Sequence, residues 1–422
     1  MAFDLRDPRA PKAAPAGRMR VAVIGSGIAG LSAAWLLAGR HEVVVYEKDR
    51  RLGGHANTVN VPVGNGSVGV DAGFIVFNKP NYPNLTALFD HLGVGVEETN
   101  MSFGASINNG RVEYSGQGLS AVFANPASVV SPSHWAMIRD ILRFNKEARA
   151  ALDAGLGDEV TLGGFVARRG YSSAFIDRFL APMAAAIWST PSFDILDYPA
   201  ASLFRFYANH GLFQVSKNPR WNTVTGGSRV YVEKISKEFA AAARLGSGAA
   251  RIERVDGGVV VIDADGHADT FDHAVLATHA DRALALLAAP TPREEALLKA
   301  FRYQPNRAVV HTDPRLMPKR RQVWSSWNYM GGEGAPPVTY WMNRLQTLTC
   351  GRDIFVTLNP AAPIAEDAIV AQFDYDHPMF NVEAGKAQRE LWSLQGEGGV
   401  WFCGAHFGAG FHEDGIQSGL AV

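Results

Sequence analysis

The sequence predicts an α/β fold in which a parallel-sheet domain is interrupted by insertions that form a second, α+β domain. Three observations lead to this prediction. A β-α-β pattern occupies residues 20–47, a long and largely helical stretch follows from Leu85 to about Leu212, and strand-like segments return after residue 250 and again at Val400. The chain has 422 residues, of which 47% are hydrophobic, so it contains enough apolar surface for two cores.

The β-α-β pattern carries a nucleotide-binding signature. Arg20–Gly25 (RVAVIG) and Glu42–Glu47 (EVVVYE) are short β-branched runs, and Ile28–Ala38 between them has the composition of a buried helix. Residues 25–30 read Gly-Ser-Gly-Ile-Ala-Gly, a GxGxxG turn that lets a pyrophosphate approach the backbone at a helix N-terminus. Glu47 ends the second strand, where its carboxylate can accept hydrogen bonds from both ribose hydroxyls of an adenosine. The segment is therefore predicted to be a Rossmann-type domain.

The rest of the chain divides at changes of pattern. Val68–Phe77 alternates like a strand, and two prolines in Asn78–Pro83 mark the first boundary. Between residues 307 and 374, the runs AVVHTD, VTYWMNRL and IFVTL suit an antiparallel sheet in the second domain. The predicted division is a disordered tail (1–19), a discontinuous dinucleotide-binding domain (20–80, 213–290 and 395–422) and a substrate domain (81–212 and 291–394). Because a helix is predicted to be running at the last residues, we expect further residues after Val422.

Composition excludes several classes of function. The formal net charge is -1, so no global field attracts a nucleic acid. Cys350 and Cys403 are far apart and lack CxxC spacing, which excludes a disulfide scaffold and a thiolate zinc site, and we predict no metal. No signal-peptide h-region and no window of roughly 20 apolar residues is found. We expect a cytoplasmic protein, either free or peripheral to the inner membrane.

Four segments resemble motifs of one superfamily. Arg51-Leu52-Gly53-Gly54 resembles the RxGG extension that follows the Rossmann unit in FAD enzymes of the amine oxidase and phytoene desaturase superfamily, where it braces the pyrophosphate. Residues 71–73 (DAG), 225–227 (TGG) and 402–419 (FCGAHFGAGFHEDGIQSG) match further motifs. The resemblance implies a glutathione-reductase-like FAD domain. The FAD-binding residues that the fingerprint and the resemblance indicate are Gly25, Ser26, Gly27, Ile28, Ala29, Gly30, Glu47, Lys48, Arg51, Gly53, Gly54, His55, Asp71, Gly73, Gly226, Gly404, Asp414, Gly415 and Ile416.

The terminal motif implies how the flavin end is held. In the superfamily, the helix that begins at Asp414-Gly415 points its N-terminus at the pyrimidine edge of the isoalloxazine, and its dipole stabilises the negative charge of the reduced flavin. Neither cysteine lies in a motif for covalent flavin attachment, so non-covalent FAD is predicted. No second GxGxxG follows a strand, and a dedicated NADPH site is therefore not expected.

A narrower resemblance concerns the substrate. The phrases AAAIWSTP, NRAVVHTD, SSWNYM and VTYWMNRLQ resemble a bacterial family of flavin-containing, amine-oxidase-like proteins predicted to bind NAD or FAD, over nearly all of the chain after Arg20. That family is similar to the flavoprotein desaturase that acts on methylated acyl chains in furan fatty acid formation, and its members often accompany methyltransferases like cyclopropane-fatty-acid synthase. The resemblance implies a two-electron desaturation of a methylated fatty acyl chain, with hydride transfer to flavin N5.

Two alternatives remain open. The chain is a flavin amine oxidase that releases an imine and hydrogen peroxide, or it is a flavin-bound accessory protein of a lipid-modifying enzyme. Amine oxidases carry Arg where this sequence has His55, and no Lys stands near Trp341, where their flavin-proximal lysine is expected. These departures weigh against amine oxidation.

Candidate catalytic residues on the substrate side are His412, His311 with Asp313, Tyr340 and Tyr329. His412 ranks first because it precedes Asp414-Gly415 by two residues, although a His or Tyr in a strand pattern is more often a core residue. Aromatic residues in Trp188–Tyr207, with Trp324, Trp327 and Trp341, wall either an acyl tunnel or an ordinary core. Lys319-Arg320-Arg321 contacts phospholipid headgroups or is a solvated turn.

Overall fold

The computed structural model describes residues 17–188, 194–213, 219–331 and 337–422, apart from the side chains of Trp188 and Asp194. Most of the predicted tail and part of the aromatic stretch Trp188–Tyr207 therefore lie outside the described residues. The strands within the described ranges are β1 Arg20–Ile24, β2 Glu42–Glu47, β3 Thr58–Val63, β4 Gly66–Asp71, β5 Val96–Thr99, β6 Phe103–Ile107, β7 Val112–Ser115, β8 Trp221–Val224, β9 Arg244–Leu245, β10 Ala249–Val255, β11 Gly258–Asp263, β12 Ala268–Phe271, β13 His273–Leu276, β14 Arg302–His311, β15 Trp327–Met330, β16 Val338–Trp341, β17 Phe355–Leu358, β18 Ile369–Met379 and β19 Val400–Phe402.

The α-helices are longer on average than the strands, and most of them lie in the second domain. Over the same described ranges they are α1 Ile28–Ala38, α2 Pro83–Leu92, α3 Leu119–Val122, α4 Pro132–Asp153, α5 Leu162–Arg169, α6 Ser173–Phe175, α7 Ala181–Trp188, α8 Ala200–Asn209, α9 Arg229–Ser236, α10 Ala280–Leu286, α11 Pro292–Leu298, α12 Met342–Leu345, α13 Val382–Gln388 and α14 His412–Ala421. None of these helices is both long and apolar enough to cross a membrane.

The first sheet is parallel throughout and has the order β19-β13-β1-β2-β9. After their first residues, the central strands β1 and β13 are apolar at every position because both faces of the sheet are covered. Ala22 and Ile24 of β1 pack into one core, while Val21 and Val23 pack into a second core with α1. All five strands come from the segments predicted for the dinucleotide-binding domain, and the Rossmann-type α/β fold is confirmed.

The second sheet has the order β18-β14-β17-β16-β15-β6-β7 and is antiparallel except for the β15–β6 pair. The predicted strands AVVHTD, VTYWMNRL and IFVTL are found here, although the second ends at Trp341, where α12 begins. Strands β6 and β7 lie inside the stretch predicted to be largely helical. They form a hairpin whose turn, Asn108-Asn109-Gly110, has positive φ at all three residues, a local signal that the helical pattern around it obscured.

Helix α2 also differs from its predicted place. The sequence division put residues 81–212 in the substrate domain, but Leu85, Leu88 and Phe89 of α2 are buried in the same core as α1. The crossing into the second domain therefore follows this helix. Strands β3 and β4 form a two-stranded hairpin that leads from the nucleotide-binding loop towards that crossing.

Candidate functional site

The glycine-rich turn is shaped to receive a pyrophosphate. Gly25 has φ +98°, and a Cβ atom at Gly30 would lie 1.9 Å from the carbonyl oxygen of Gly25, so these two positions require glycine for the fold of the turn. Gly27 differs, because a Cβ there would meet nothing within 4 Å. It is also the N-cap of α1 and has no side-chain cap, which leaves the first N–H groups of the helix available to an anion. The turn fits the ADP half of FAD.

Glu47 supports this turn directly. Its carboxylate is almost fully buried, and Oε2 accepts hydrogen bonds from the Ser26 amide (2.9 Å) and the Ser26 hydroxyl (2.6 Å). Oε1 accepts one hydrogen bond, from the Asp49 amide at 2.9 Å. Since a carboxylate oxygen accepts about two hydrogen bonds, Oε1 retains acceptor capacity for a ribose hydroxyl while Oε2 holds the turn.

The Arg51–Gly54 loop packs against the same turn. The Gly53 amide donates to the Ser26 carbonyl (3.0 Å), and a Cβ at Gly54 would lie 3.0 Å from Cα of Gly27. Arg51 donates to the carbonyls of Leu52, Gly54 and Ala56 at 3.3, 2.7 and 3.1 Å. Arg51 therefore fixes the loop from behind, in agreement with the bracing role that its motif implies.

Helix α14 brings the terminal motif to the glycine-rich turn. A Cβ at Gly415 would lie 2.7 Å from Cγ2 of Ile28, and a Cβ at Gly419 would lie 2.2 Å from the Ala29 carbonyl oxygen. Glycines one helical turn apart thus let α14 lie directly on the first turn of α1. Gly404, with φ +155°, ends β19 beside the carbonyl of Thr278. Two motifs at opposite ends of the sequence form one site.

Both carboxylates in the first turn of α14 are engaged. Glu413 accepts hydrogen bonds from the backbone N–H groups of Asn84 and Leu85 (2.9 and 3.1 Å), at the start of α2. Asp414 accepts from the Phe411 amide at 2.8 Å, and burial raises the pKa of Asp414 to about 6. These contacts fix the N-terminal end of the helix that the superfamily aims at the flavin.

Three of the sequence motifs converge on His412. Its Nε2 lies 2.7 Å from the hydroxyl of Tyr231, which follows the TGG turn. Its ring stacks on Phe74, which follows the DAG turn, with centroids 3.8 Å apart. Burial lowers the pKa of His412 to about 3, so the imidazole is neutral at physiological pH. Phe74 and Tyr231 were not singled out from the sequence, yet each lies within four residues of a motif that was.

Asp71 makes its contacts within the protein. It accepts hydrogen bonds from the hydroxyls of Thr58 (2.6 Å) and Ser228 (2.7 Å), from the Ser228 amide (2.9 Å) and from Nε2 of Gln346 (3.0 Å). Burial raises the pKa of Asp71 to about 6. The residue joins the β3–β4 hairpin to the N-terminus of α9. Gly73 is required next to it, since a Cβ there would lie 2.2 Å from the His55 carbonyl oxygen.

The other catalytic candidates lie in the second sheet. Nδ1 of His311 accepts from the Asp313 amide (3.1 Å), so Nε2 carries the proton and donates to Oγ1 of Thr357 (2.7 Å). Arg315 forms a bidentate pair with Asp313 and holds the pKa of that carboxyl at about 2. These contacts indicate that His311 and Asp313 have a structural role in the core of the second domain. Tyr329 and Tyr340 lie on the neighbouring strands β15 and β16, and burial raises the pKa of Tyr340.

Sequence reasoning missed an imidazole cluster beside the Arg51–Gly54 loop. His55 stacks on Tyr375 (centroids 4.6 Å apart) and lies 5.6 Å from the ring of His377 and 6.3 Å from that of His279. Burial and the neighbouring histidines lower the pKa of His55 well below its usual range and that of His377 to about 4. His279 follows the carboxyl end of the parallel strand β13, a place where ligands bind in such sheets, and this signal was available in the sequence.

Aromatic residues connect the helical region to the flavin-edge helix. Phe206 of α8 stacks on Phe411, the N-cap residue of α14, with centroids 4.9 Å apart, and on His210 at 3.8 Å. Trp327 packs edge-on against Phe103 at 5.6 Å in the second sheet. Within the described residues, the aromatic side chains predicted to form a wall are therefore part of the core. Through Phe206 they contact the terminal motif at Phe411.

Comparison with known proteins identifies the family and the fold. A family model described as flavin containing amine oxidoreductase matches residues 28–343. A variant of putrescine oxidase and the CLA-producing fatty acid isomerase from P. acnes are each 16% identical, with a TM-score of 0.67 and coverage of 96% of this chain and 98% of theirs. Cyclohexylamine oxidase from Brevibacterium oxydans IH-35A is 15% identical, with a TM-score of 0.66 and coverage of 96% and 97%. A search of curated proteins gave no match.

The likeness to solved structures shows a shared fold, a Rossmann-type FAD domain with a substrate domain. The family match spans most of the chain, including the Arg51–Gly54 loop and the turns at residues 71–73 and 225–227. Together with the pyrophosphate cradle at Gly27, it shows that FAD is the cofactor and that the chain is an FAD-dependent oxidoreductase. The protein belongs to the family of flavin-containing amine oxidoreductases.

Proposed function

We propose that this oxidoreductase dehydrogenates an apolar substrate, and that the substrate is a methylated fatty acyl chain. The main support for the proposal is that aromatic side chains surround the N-terminus of α14. Phe74 and Tyr231 contact the neutral His412, and Phe206 stacks on Phe411, the residue before His412. Such surroundings stabilise an apolar substrate by burial and offer it no fixed charge.

The nearby carboxylates do not supply a binding site for a cation. Glu413 and Asp414 are taken up by backbone N–H groups of α2 and of Phe411, and Asp71 is saturated by Thr58, Ser228 and Gln346. Asp71 has no acceptor site left for an ammonium group and Glu413 has about one, while Asp414 is committed to the capping contact with the Phe411 amide. The site therefore favours a neutral substrate over a cationic one.

The residues of the chain have defined roles in such a reaction. FAD, when bound, supplies a two-electron acceptor. Tyr231 and Phe74 hold the uncharged imidazole of His412 at the flavin-edge helix, where a ring nitrogen can donate or accept a hydrogen bond. The aromatic residues of α8 exclude water and position the apolar chain.

The similarity to a protein named as a fatty acid isomerase supports an acyl substrate, since its fold matches nearly the whole chain. We further propose that a methyltransferase like cyclopropane-fatty-acid synthase produces the methylated acyl chain. A lipid profile of a strain that lacks this protein tests both proposals, and accumulation of the methylated, saturated acyl chain is the expected result.

The direct test is anaerobic reduction of the bound flavin by a homologous series of acyl substrates, beside alkylamines of matched length. A buried CH₂ contributes about 0.8 kcal/mol, so affinity should rise up to about three- to fourfold per added carbon until the binding space is filled. Amines that bleach the flavin quickly, with the acyl series inert at every length, would refute the desaturase proposal. If nothing reduces the flavin but a purified partner methyltransferase is stimulated, the accessory-protein alternative gains.

A second candidate is amine oxidation, which the similarity to putrescine oxidase and cyclohexylamine oxidase favours. In a site without a free carboxylate, an amine must enter in its neutral form. The rate of flavin reduction at limiting amine should then rise with pH towards the pKa of the free amine, and hydrogen peroxide should appear in stoichiometric amount in air. A flat pH profile with the amine series would argue against this candidate.

A further inference from the structure

A contiguous apolar patch is exposed on the helical part of the second domain. Leu119 is 78% exposed, Val130 82%, Val129 52% and Trp135 51%. The indole Nε1 of Trp135 donates to the Val129 carbonyl at 2.8 Å, which joins the start of α4 to the turn before it. Phe123 packs against Trp135 with ring centroids 5.1 Å apart and lies one helical turn from Leu119. We call these residues the docking patch.

Helix α4 extends the docking patch as a stripe. Trp135, Arg139, Leu142 and Lys146 recur at the spacing of successive turns and are all exposed, and Leu142 is 56% exposed. The opposite face of the helix is buried through residues such as Met137 and Phe144. Apolar side chains on the solvent-facing side of α4 do not contribute to the core of the domain. A contiguous exposed apolar patch of this kind marks an interaction surface.

The exposed charges within residues 111–146 are positive. The only carboxylates between residues 111 and 146 are Glu113 and Asp140, which are 1% and 0% exposed. Glu113 pairs with Arg320 at 2.8 Å, and Asp140 accepts from the Ser172 amide at 2.9 Å. Arg139 pairs with Asp140 at 3.1 Å but keeps a side chain that is 71% exposed, and Lys146 is exposed further along α4.

Two further exposed cations lie on loops that contact the turn at residues 124–125, between Phe123 and Val129 of the patch. The side chain of Asn125, just before Val129, donates to the carbonyl of the exposed Arg111 at 2.9 Å. Gln322 donates to the carbonyl of Ala124 at 3.0 Å and so holds the loop of the exposed Lys319 against the same turn. Within the basic run at residues 319–321, Arg320 pairs with Glu113. The positive charge that this run adds to the patch therefore comes from the exposed Lys319 and Arg321.

We propose that the docking patch binds an anionic phospholipid surface, with Leu119, Val129, Val130 and Trp135 in the headgroup region and the surrounding cations against lipid phosphates. An apolar stripe that carries a tryptophan and is edged by Lys and Arg has the composition of an interfacial helix. A second copy of this chain is a poorer occupant, because two positive rims would face each other. The proposal does not depend on the identity of the substrate.

The test uses the FAD-loaded protein and vesicles of defined composition, without turnover. Co-sedimentation with vesicles that contain phosphatidylglycerol is expected, with much weaker binding to pure phosphatidylcholine and a decline as salt is raised. Failure to bind phosphatidylglycerol vesicles at low salt, or equal binding to both vesicle types, would overturn the proposal. A dimer in solution that the patch variants convert to a monomer would overturn it in favour of a second copy.

Two pairs of variants locate the contact. Val129→Asp with Val130→Asp, and Arg139→Glu with Lys319→Glu, should each lower the vesicle partition coefficient by about tenfold or more. The matched controls are Leu36→Asp on α1, which is 51% exposed, and Lys299→Glu, also exposed, and both should bind like the unaltered protein. Unchanged flavin content and unfolding midpoint show that a variant is folded. Folded patch variants that bind as well as the controls would refute this location.

Discussion

The substitution Gly419→Ala tests whether FAD binding depends on the contact between α14 and α1. An added Cβ would lie 2.2 Å from the Ala29 carbonyl oxygen and 2.3 Å from Oγ of Ser32. An ordinary contact needs a separation about 1 Å greater, and the Ala29 carbonyl is backbone that cannot rotate away. Helix α14 must therefore move off the first turn of α1, at a cost of about 1–3 kcal/mol for an overpacked core.

The displacement should affect cofactor binding more than folding of the second domain. Helix α14 carries Asp414, His412 and Gly415 next to the glycine-rich turn. A shift of this helix away from α1 would therefore weaken the contacts that enclose FAD. We expect an FAD dissociation constant roughly 5- to 150-fold higher, which is the cost of about 1–3 kcal/mol converted to a ratio of dissociation constants. The measurement is FAD titration of apoprotein by quenching of flavin fluorescence, together with urea unfolding of the apoprotein and the holoprotein.

The matched control is Gly385→Ala in α13, where a Cβ would meet nothing within 4 Å. It should leave FAD binding unchanged and stabilise the protein by up to about 1 kcal/mol, because alanine is the better helix former. If Gly419→Ala binds FAD as tightly as the Gly385→Ala variant, the account of α14 as the closing element of the cofactor site is wrong.

Four further outcomes are expected. Glu47→Ala should weaken FAD binding by about 1.5–3 kcal/mol for each charge-assisted hydrogen bond lost, and full flavin occupancy in this variant would contradict its place in the site. Acid or heat precipitation should release all of the flavin into the supernatant, since Cys403 is buried and Cys350 lies in no attachment motif; flavin in the pellet would show a covalent link. NADPH should not bleach the flavin in a stopped-flow experiment, and rapid bleaching would reveal a second nucleotide site. Stability should fall between pH 6.5 and about 4, because the folded pKa of His377 is depressed to about 4 and the unfolded chain binds the proton first, at about 1.4 kcal/mol per pH unit for each such histidine. Asp71 and Asp414, whose pKa values are raised to about 6, act in the opposite direction, but the buried histidines with lowered pKa outnumber them, so urea unfolding should show lower stability at pH 5 than at pH 7.

The cofactor domain was predictable because its signals are local. The strand, the GxGxxG turn, the helix and Glu47 follow one another within 28 residues (20–47), and each has a physical reason that needs no knowledge of distant chain. The hairpin β6–β7 was not predicted. Its strands are four or five residues long, and the helices around it dominated the pattern, although Asn108-Asn109-Gly110 is a turn signal that could have identified it.

The substrate side was less predictable because it depends on long-range pairing. His412 could be ranked first from its distance to Asp414-Gly415, and the structure does place it among the flavin motifs. His311 carried an equally plausible sequence signal, yet its hydrogen bonds to Thr357 and to the Asp313 amide arise only when β14 pairs with β17. The stacking of His55 on Tyr375 likewise needs β18 beside the Arg51–Gly54 loop, and no local pattern in either segment predicts it.

The parallel pairing of β19 with β13 determines when during synthesis a cofactor site can exist. Residues 400–402 complete the edge of a sheet whose centre is residues 20–24, and α14 then covers α1. A nascent chain that has released only its first β-α-β unit from the ribosome exposes the glycine-rich turn without the helix that closes it. The whole second domain must emerge, and have the chance to collapse, before that closure occurs. FAD is therefore a late ligand in biogenesis, one that secures an almost finished fold against unfolding instead of nucleating it.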